Sequence, residues 1–495
     1  MINMTSLLKN FIEGAWVDSH GTESVAVVNP ANKKPLASTP LGTKRDVDHA
    51  VSAAVNAFES WKSVPAQERV QYFFALKSLM EKHAEDLSRM ITQEHGKTLA
   101  ESKGEVRRAI QMVETACGIP SLMMGENFEG IARGIDCSTV NRPMGVFACI
   151  APFNFPAMIP FWFWPFAVAC GNTYVLKASE RVPLTSMHMF ELFEEVGFPK
   201  GVVNLVHGGQ EAANALCTHP DVKGISFVGS TPVAKHIYRT ACYEGKRVQA
   251  LGGAKNVMVV LPDAMQGDLA KKSVATAVES ITGCAGERCL AGSLVLCVGD
   301  DAYEKFKSGA LGIVRSMVTG DGLDEKTNMG PLISQEAKDR VSGLIQRALD
   351  EGAHILEDGR VGVDELPGYY LRPSILTEVS RSMEIAKEEV FGPVILINKV
   401  ESLDEAIDWI NGIPYANTCT LFTNSGGMAR AFTSQVDPSM IGINIGVPAP
   451  MAFFSFGGSK ESFFGDIKAH GKASVKFFTD TYTSIYRWHS DESIW

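Results

Sequence analysis

The sequence predicts an α/β protein built from two doubly wound units and a small β element. Three observations carry that expectation. From residue 145 onward, short apolar runs alternate with runs of helical period, the pattern of a parallel sheet covered on both faces. A second alternation of the same kind starts at residue 257. The chain has 495 residues, more than one hydrophobic core usually serves, so two or three domains are expected.

Before the alternation, residues 44–116 read as helical. Asp46, Val47 and Ala50 open a periodic pattern that runs through Ala57 and Trp61, and longer periodic runs follow at 66–94 and 97–116. The first alternation predicts strands at 146–151, 173–177, 202–207, 224–228 and 247–251, with helices at 158–169, 184–196, 211–217 and 231–243. The second predicts strands at 257–261, 293–298, near 394–400 and at 418–423, with helices at 268–281, 301–318 and 334–351. Doubly wound sheets bind nucleotides at the carboxyl ends of their strands. The tail from 472 to 487 is rich in β-branched and aromatic residues and reads as one strand with no room in either core. A terminal strand of that kind often pairs with another subunit.

Composition narrows the function. With 45% hydrophobic and 21% charged residues the chain is ordinarily globular. A formal net charge of −10 argues against a nucleic-acid surface. The ten cysteines contain no CxxC pair, so no metal site is expected. Residues 1–11 lack the sustained apolar core of a signal peptide, which with so many cysteines points to a reducing compartment and the cytoplasm. Between Pro143 and Leu176 no residue is charged, a length that would pass for a membrane span. Pro152, Pro156, Pro160 and Pro165 argue against one, because each removes a backbone donor that lipid cannot replace.

The strongest chemical signal is the run Thr282-Gly283-Cys284-Ala285-Gly286-Glu287-Arg288-Cys289-Leu290-Ala291-Gly292. A free cysteine is usually a packing residue. Here glycine and alanine leave a substrate room to reach the Cys289 sulfur. Arg288 beside it favours the thiolate, the form that attacks electrophiles. Cys284 reads as a bystander.

Four further runs stand in order with it: Ala151-Pro152-Phe153-Asn154-Phe155-Pro156, Leu176-Lys177-Ala178-Ser179-Glu180-Arg181, Phe227-Val228-Gly229-Ser230-Thr231 and Glu388-Glu389-Val390-Phe391-Gly392-Pro393. Together the five resemble the aldehyde dehydrogenase superfamily over almost the whole chain. That resemblance implies an NAD-binding domain at 1–121 and 144–250, a catalytic domain at 251–455, and a β oligomerisation element at 122–143 and 470–495. It implies Cys289 as the nucleophile that attacks an aldehyde carbon, with the Asn154 side chain and the Cys289 amide as donors to the oxyanion. The adduct would give a hydride to a nicotinamide and become a thioester. Lys177 and Glu180 match the residues that hold the adenosine ribose, which implies NAD rather than NADP, although Arg181 beside them could accept a 2′-phosphate. Gly229 and Ser230 match the pyrophosphate contact at a helix start, where Ser230 could equally be a plain N-cap. Glu389 matches the nicotinamide-ribose ligand and Phe391 its neighbour, and Ala151 and Phe153 match backbone contacts to the cofactor.

Hydrolytic members carry a glutamate ahead of two glycines. Here the run is Val248-Gln249-Ala250-Leu251-Gly252-Gly253-Ala254-Lys255-Asn256. Aligned on the glycines, Ala250 takes that place; aligned on the lysine, Leu251 does. Neither is a base. A general base contributes about 10² to 10⁴ in rate, so the acyl group should wait for a thiol, coenzyme A, with Gly252 leaving space beside the thioester. Gly245-Lys246-Arg247-Val248-Gln249 and Val447-Pro448-Ala449-Pro450-Met451-Ala452-Phe453-Phe454 are most similar to the CoA-acylating group that takes malonate or methylmalonate semialdehyde. The resemblance then implies Arg288 and Arg108 as partners for the substrate carboxylate, with Arg107 an alternative register, and a homo-oligomer, dimer or tetramer. A hydrolytic enzyme giving a free acid, and a non-catalytic homologue, are the competing expectations.

Overall fold

The computed structural model describes residues 7–488; the parts of the expected terminal segments at 1–6 and 489–495 lie outside the described residues. Two large sheets form, as the alternation predicts. The first has eight strands, in the order Ala15–Val17, Asn10–Ile12, Val203–Val206, Thr173–Lys177, Val146–Ile150, Val222–Val228, Arg247–Leu251 and Phe463–Phe464. Its five inner strands are parallel and its edges antiparallel. Each inner strand is almost wholly buried, because helices cover both faces.

The second sheet has seven strands, in the order His354–Glu357, Ser374–Thr377, Val394–Val400, Leu294–Val298, Val257–Val260, Thr418–Phe422 and Met440–Ile443. Only His354–Glu357 runs antiparallel. A third sheet joins Thr479–Arg487 to Ile135–Pro143 and Asn127–Ala132. Its main ladder runs from Thr479↔Pro143 to Arg487↔Ile135. Phe128, Val140, Tyr482, Ile485 and Trp488 stand exposed on it or at its edge.

The two large sheets present opposite ends to one another. In the first, the order reverses at Val146–Ile150: the chain winds away through Thr173–Lys177 and Val203–Val206, then returns on the other side at Val222–Val228. Ala151–Pro156 and Gly229–Ser230 leave the two adjacent strands at that switch point, where a doubly wound sheet opens a crevice. In the second sheet the motif residues come before their strands, at the amino ends. Lys255 and Asn256 precede Val257–Val260, Cys289 precedes Leu294–Val298, and Glu389 precedes Val394–Val400. The carboxyl-end rule therefore holds for the first unit only. Gly252 and Gly253 carry the chain directly from the carboxyl end of one sheet to the amino end of the other.

Three sequence expectations change. The 66–94 run divides into Ala66–Lys82 and Ala84–His95, with His83 off the helical conformation (φ −100°, ψ 15°). Glu85 and Asp86 favour a fresh helix start there. The 158–169 run divides into Met158–Phe161 and Trp164–Ala169, with Pro165 in the first turn of the second, where its missing donor costs no bond. The tail is helical over Gly471–Phe478 and a strand only from Thr479. Val475, Phe477 and Phe478 are buried in the core of the first unit, and packing there outweighs strand preference. Among the described residues no helix is long and apolar enough to cross a membrane.

Candidate active site

Cys289 follows a strained turn. Cys284 (φ 52°), Ala285 (φ 51°) and Gly286 (φ 76°) are consecutively left-handed. Such backbone persists where the surroundings hold it. Glu101 accepts the Cys284 amide at 2.6 Å. A side chain at Gly286 would meet the Gly392 carbonyl group at 2.2 Å, so the Glu388–Pro393 run packs directly on this turn. Beyond the turn, the Cys289 carbonyl oxygen accepts from Asn256 Nδ2 and Asn417 Nδ2, each at 2.9 Å.

The Cys289 sulfur is partly reachable but densely enclosed. Burial pushes its thiol up to about 12, Glu389 adds to the shift, and Arg288 only partly offsets it. Arg288 thus favours the thiolate as its place in the sequence implies, and burial works against it more strongly. The Arg288 guanidinium lies over Gly283, where a Cβ would come 2.6 Å from Nη1. Burial works against its charge, and Cys284, Glu101 and Glu279 more than offset that. Cys284 forms part of the left-handed turn and gives its amide to Glu101.

Asn154 is buried on the 151–156 turn. Its Nδ2 donates to the Glu287 carbonyl oxygen at 3.0 Å. A carboxamide nitrogen carries two hydrogens, so one remains for another acceptor. Ala151 donates to the Lys177 carbonyl oxygen at 3.0 Å. Phe153 lies between His95, stacked at 6.1 Å, and Phe391, edge-on at 6.0 Å.

On the side of the first sheet, buried Lys177 pairs with Glu180 at 3.1 Å. Burial raises the Glu180 carboxyl, and Lys177, the local backbone and Arg181 more than offset it, so its pKa falls below the usual value. Arg181 itself is exposed and reaches Glu336 at 3.6 Å. Ser230 stands at the N-cap of Thr231–Tyr243 but its side chain makes no cap bond. The plain-cap reading therefore fails, and the hydroxyl and the helix start remain available to an anion. Gly229 donates to the Leu251 carbonyl oxygen at 3.1 Å.

Gly252 does not open onto free space as expected. A Cβ there would lie 2.8 Å from the Glu461 carbonyl oxygen, so the glycine permits a close backbone approach. At Gly253 a Cβ would lie 2.9 Å from Glu389 Oε2, which brings that carboxyl onto the same crossing. Burial pushes Glu389 up to about 8, against the Ala254 amide that bonds it. Burial likewise pulls Lys255 down to about 7, against Glu389 and Glu388.

Ala250 and Leu251 fall in different core clusters. Ala250 packs with Phe227 and Val248 on the far face. Leu251 belongs to the cluster that holds Cys284 and Leu290, against which Cys289 packs. No carboxylate stands at either place. Arg108 is half-buried and donates to the Ala449 carbonyl oxygen and to Met451 Sδ, both at 3.2 Å. Arg107 is exposed, 3.9 Å from Glu81 and Glu114. Of the two, only Arg108 faces the 447–454 run.

Residues 16–484 match the Aldehyde dehydrogenase family. The chain belongs to the aldehyde dehydrogenase family. It is 44% identical to malonate-semialdehyde dehydrogenase 1 of Oceanobacillus iheyensis, over 98% of this chain and 99% of that protein. Methylmalonate-semialdehyde dehydrogenase from Oceanimonas doudoroffii superposes with a TM-score of 0.95 at 39% identity, covering 98% and 99% of the two chains. A Sinorhizobium meliloti 1021 structure complexed with NAD superposes with a TM-score of 0.96 at 37% identity, covering 99% of each.

Within this aldehyde dehydrogenase, the sequence reading passed over Lys97, Glu101, Glu105, Asn256 and Asn417. The helix residues carried a signal. Glu101, Glu105 and Arg108 stand at i, i+4 and i+7 of Leu99–Ala116, which places them on one face. The two asparagines carried none, since their partner is a backbone carbonyl.

With its pKa near 12, Cys289 should alkylate slowly in the cofactor-free enzyme. The rate with iodoacetamide, read at the Cys289 peptide by mass spectrometry, should climb about tenfold per pH unit between about pH 7 and about pH 10. A plateau below about pH 9 would contradict the burial effect.

Proposed function

We propose that this chain catalyses the NAD-dependent, CoA-acylating oxidation of malonate or methylmalonate semialdehyde. The products are acetyl-CoA or propionyl-CoA and CO₂. The observation that carries this reading is that Ala250 and Leu251, the two places where a water-activating carboxylate is expected ahead of the glycines, are both apolar. The names of the relatives support the substrate class.

Lys177, Glu180, Ser230 and Glu389 have the donor and acceptor set to hold NAD, with Ala151, Phe153, Gly229, Gly252 and Phe391 lining the same crossing. A low Glu180 pKa keeps that carboxylate ionised at neutral pH, as a ribose acceptor requires. Bound there, NAD supplies the hydride acceptor. The Cys289 thiol loses its proton to water, and the thiolate attacks the aldehyde carbon. Negative charge then develops on the aldehyde oxygen, where the free Asn154 N–H and the Cys289 amide donate to it. Departure of the hydride leaves a thioester on Cys289, and the thiol of coenzyme A displaces it. CO₂ leaves as the electrons of its carbon–carbon bond pass into the thioester carbonyl, and the resulting enolate carbon takes a proton from water. Arg108 and Arg288 hold the substrate carboxylate.

The domain assignment (1–121 with 144–250 for NAD, 251–455 for catalysis, 122–143 with 470–495 for assembly) belongs to this proposal, as does a cytoplasmic homo-oligomer, dimer or tetramer. The exposed aromatic and aliphatic residues of the third sheet support assembly there.

NADH formation with malonate semialdehyde should require coenzyme A for sustained turnover. Equal steady rates without it, yielding free acid, would support hydrolysis instead. Arg108→Ala should raise KM for a carboxylated semialdehyde about tenfold or more, since a charge-assisted bond is worth about 1.5–3 kcal/mol. A neutral aldehyde of similar size should be unaffected. Arg288→Ala should raise KM for the carboxylated semialdehyde in the same way. Equal losses on both aldehydes in the Arg108 variant would remove it from the carboxylate site.

A further inference from the structure

Lys97 and Glu105 form an ion pair at 2.7 Å, and both side chains are wholly buried. Burying two charges is costly, and such a pair often contributes little net stability. What this pair bonds is more telling. Lys97 Nζ donates to the backbone carbonyl oxygen of Asn154 at 2.6 Å and stands 3.9 Å from the centre of the Phe155 ring. The other Glu105 oxygen accepts the amides of Ala157 at 2.8 Å and Met158 at 3.1 Å. The 154–158 turn is thus gripped at its carbonyl by the cation and at its amides by the anion. The turn has no sheet partner of its own, and its helix, Met158–Phe161, is a single turn with no side-chain cap from its own N-cap residue.

We propose that Lys97 and Glu105 are positioning residues for the Asn154 side chain: they fix the turn so that Nδ2 keeps one hydrogen on the Glu287 carbonyl and aims the other at the aldehyde oxygen. This rests on Asn154 being an oxyanion donor. Glu101, one turn earlier on the same helix, grips the Cys284 amide. One face of Leu99–Ala116 therefore sets both sides of the reacting centre.

The test is a mutant cycle on the full enzyme: Lys97→Met, Glu105→Gln, Asn154→Ala, and each of the first two combined with Asn154→Ala. Two rates are read, the single-turnover burst of NADH and iodoacetamide alkylation at Cys289. Alkylation develops no oxyanion, so a positioning defect leaves it unchanged while loss of structure alters it. Losing an oxyanion donor costs about 10² to 10³ in rate, so each positioning variant should lose about tenfold or more of its burst. That loss should vanish in the Asn154→Ala background. If Lys97→Met fails to fold, Glu105→Gln, which keeps the shape, carries the test alone. Equal losses with and without Asn154, or a parallel loss of alkylation, overturn the proposal. An undiminished burst in Asn154→Ala alone overturns the oxyanion reading first, and the positioning role with it.

Discussion

The site depends on how the chain passes between its sheets. Arg247–Leu251 ends at the carboxyl edge of the first sheet, and Val257–Val260 begins at the amino edge of the second. Two glycines make the crossing: the first lies against the Glu461 backbone carbonyl, where a side chain has no room, and the second stands beside the Glu389 carboxyl. Because the edges meet this way, the loops that leave the first sheet face the loops that enter the second. Asn154, Lys177 and Ser230 come from one side, and Cys289 and Glu389 from the other.

Loops have no ladder to hold them, so their geometry must come from side chains. The Cys289 loop is held at its carbonyl by Asn256 and Asn417 and at its left-handed turn by Glu101. The Asn154 turn is held by Lys97 and Glu105. These are bonds between charged or amide groups and backbone, mostly out of water, where an unmade bond is costly. The same enclosure sets the electrostatics. It lifts Cys289 to about 12 and Glu389 to about 8 and drops Lys255 to about 7, each shift disfavouring the charged form of the group.

Much of this was legible in the residues. Strands such as Thr173–Lys177 and Arg247–Leu251, and helices such as Leu184–Val196 and Thr231–Tyr243, stand where period and apolar runs put them. A strong period marks an element whatever packs against it. The edge strands Ala15–Val17 and Phe463–Phe464 were not legible, because a two- or three-residue strand exists only through its neighbour. The helical half of the tail was missed because its β-branched and aromatic residues hid a burial that only the fold creates. At the site, Cys289 was readable from its small neighbours. The choice between Ala250 and Leu251 was not, since it turns on which face of a strand meets the thiol. Arg288 was read from its place beside Cys289, and adjacency did not show that its guanidinium lies over Gly283.

What distinguishes the proposed chemistry is its last step. With no carboxylate at Ala250 or Leu251 to activate water, a thioester on Cys289 should outlast the oxidation that forms it. Intact-protein mass spectrometry after acid quench tests this directly. Enzyme mixed with malonate semialdehyde and NAD, without coenzyme A, should carry an acyl adduct that maps to Cys289. That adduct should persist over the time in which the enzyme with coenzyme A completes many turnovers, and it should disappear when coenzyme A is added. An adduct that decays to free acid as fast as the CoA-supplied enzyme turns over would contradict it.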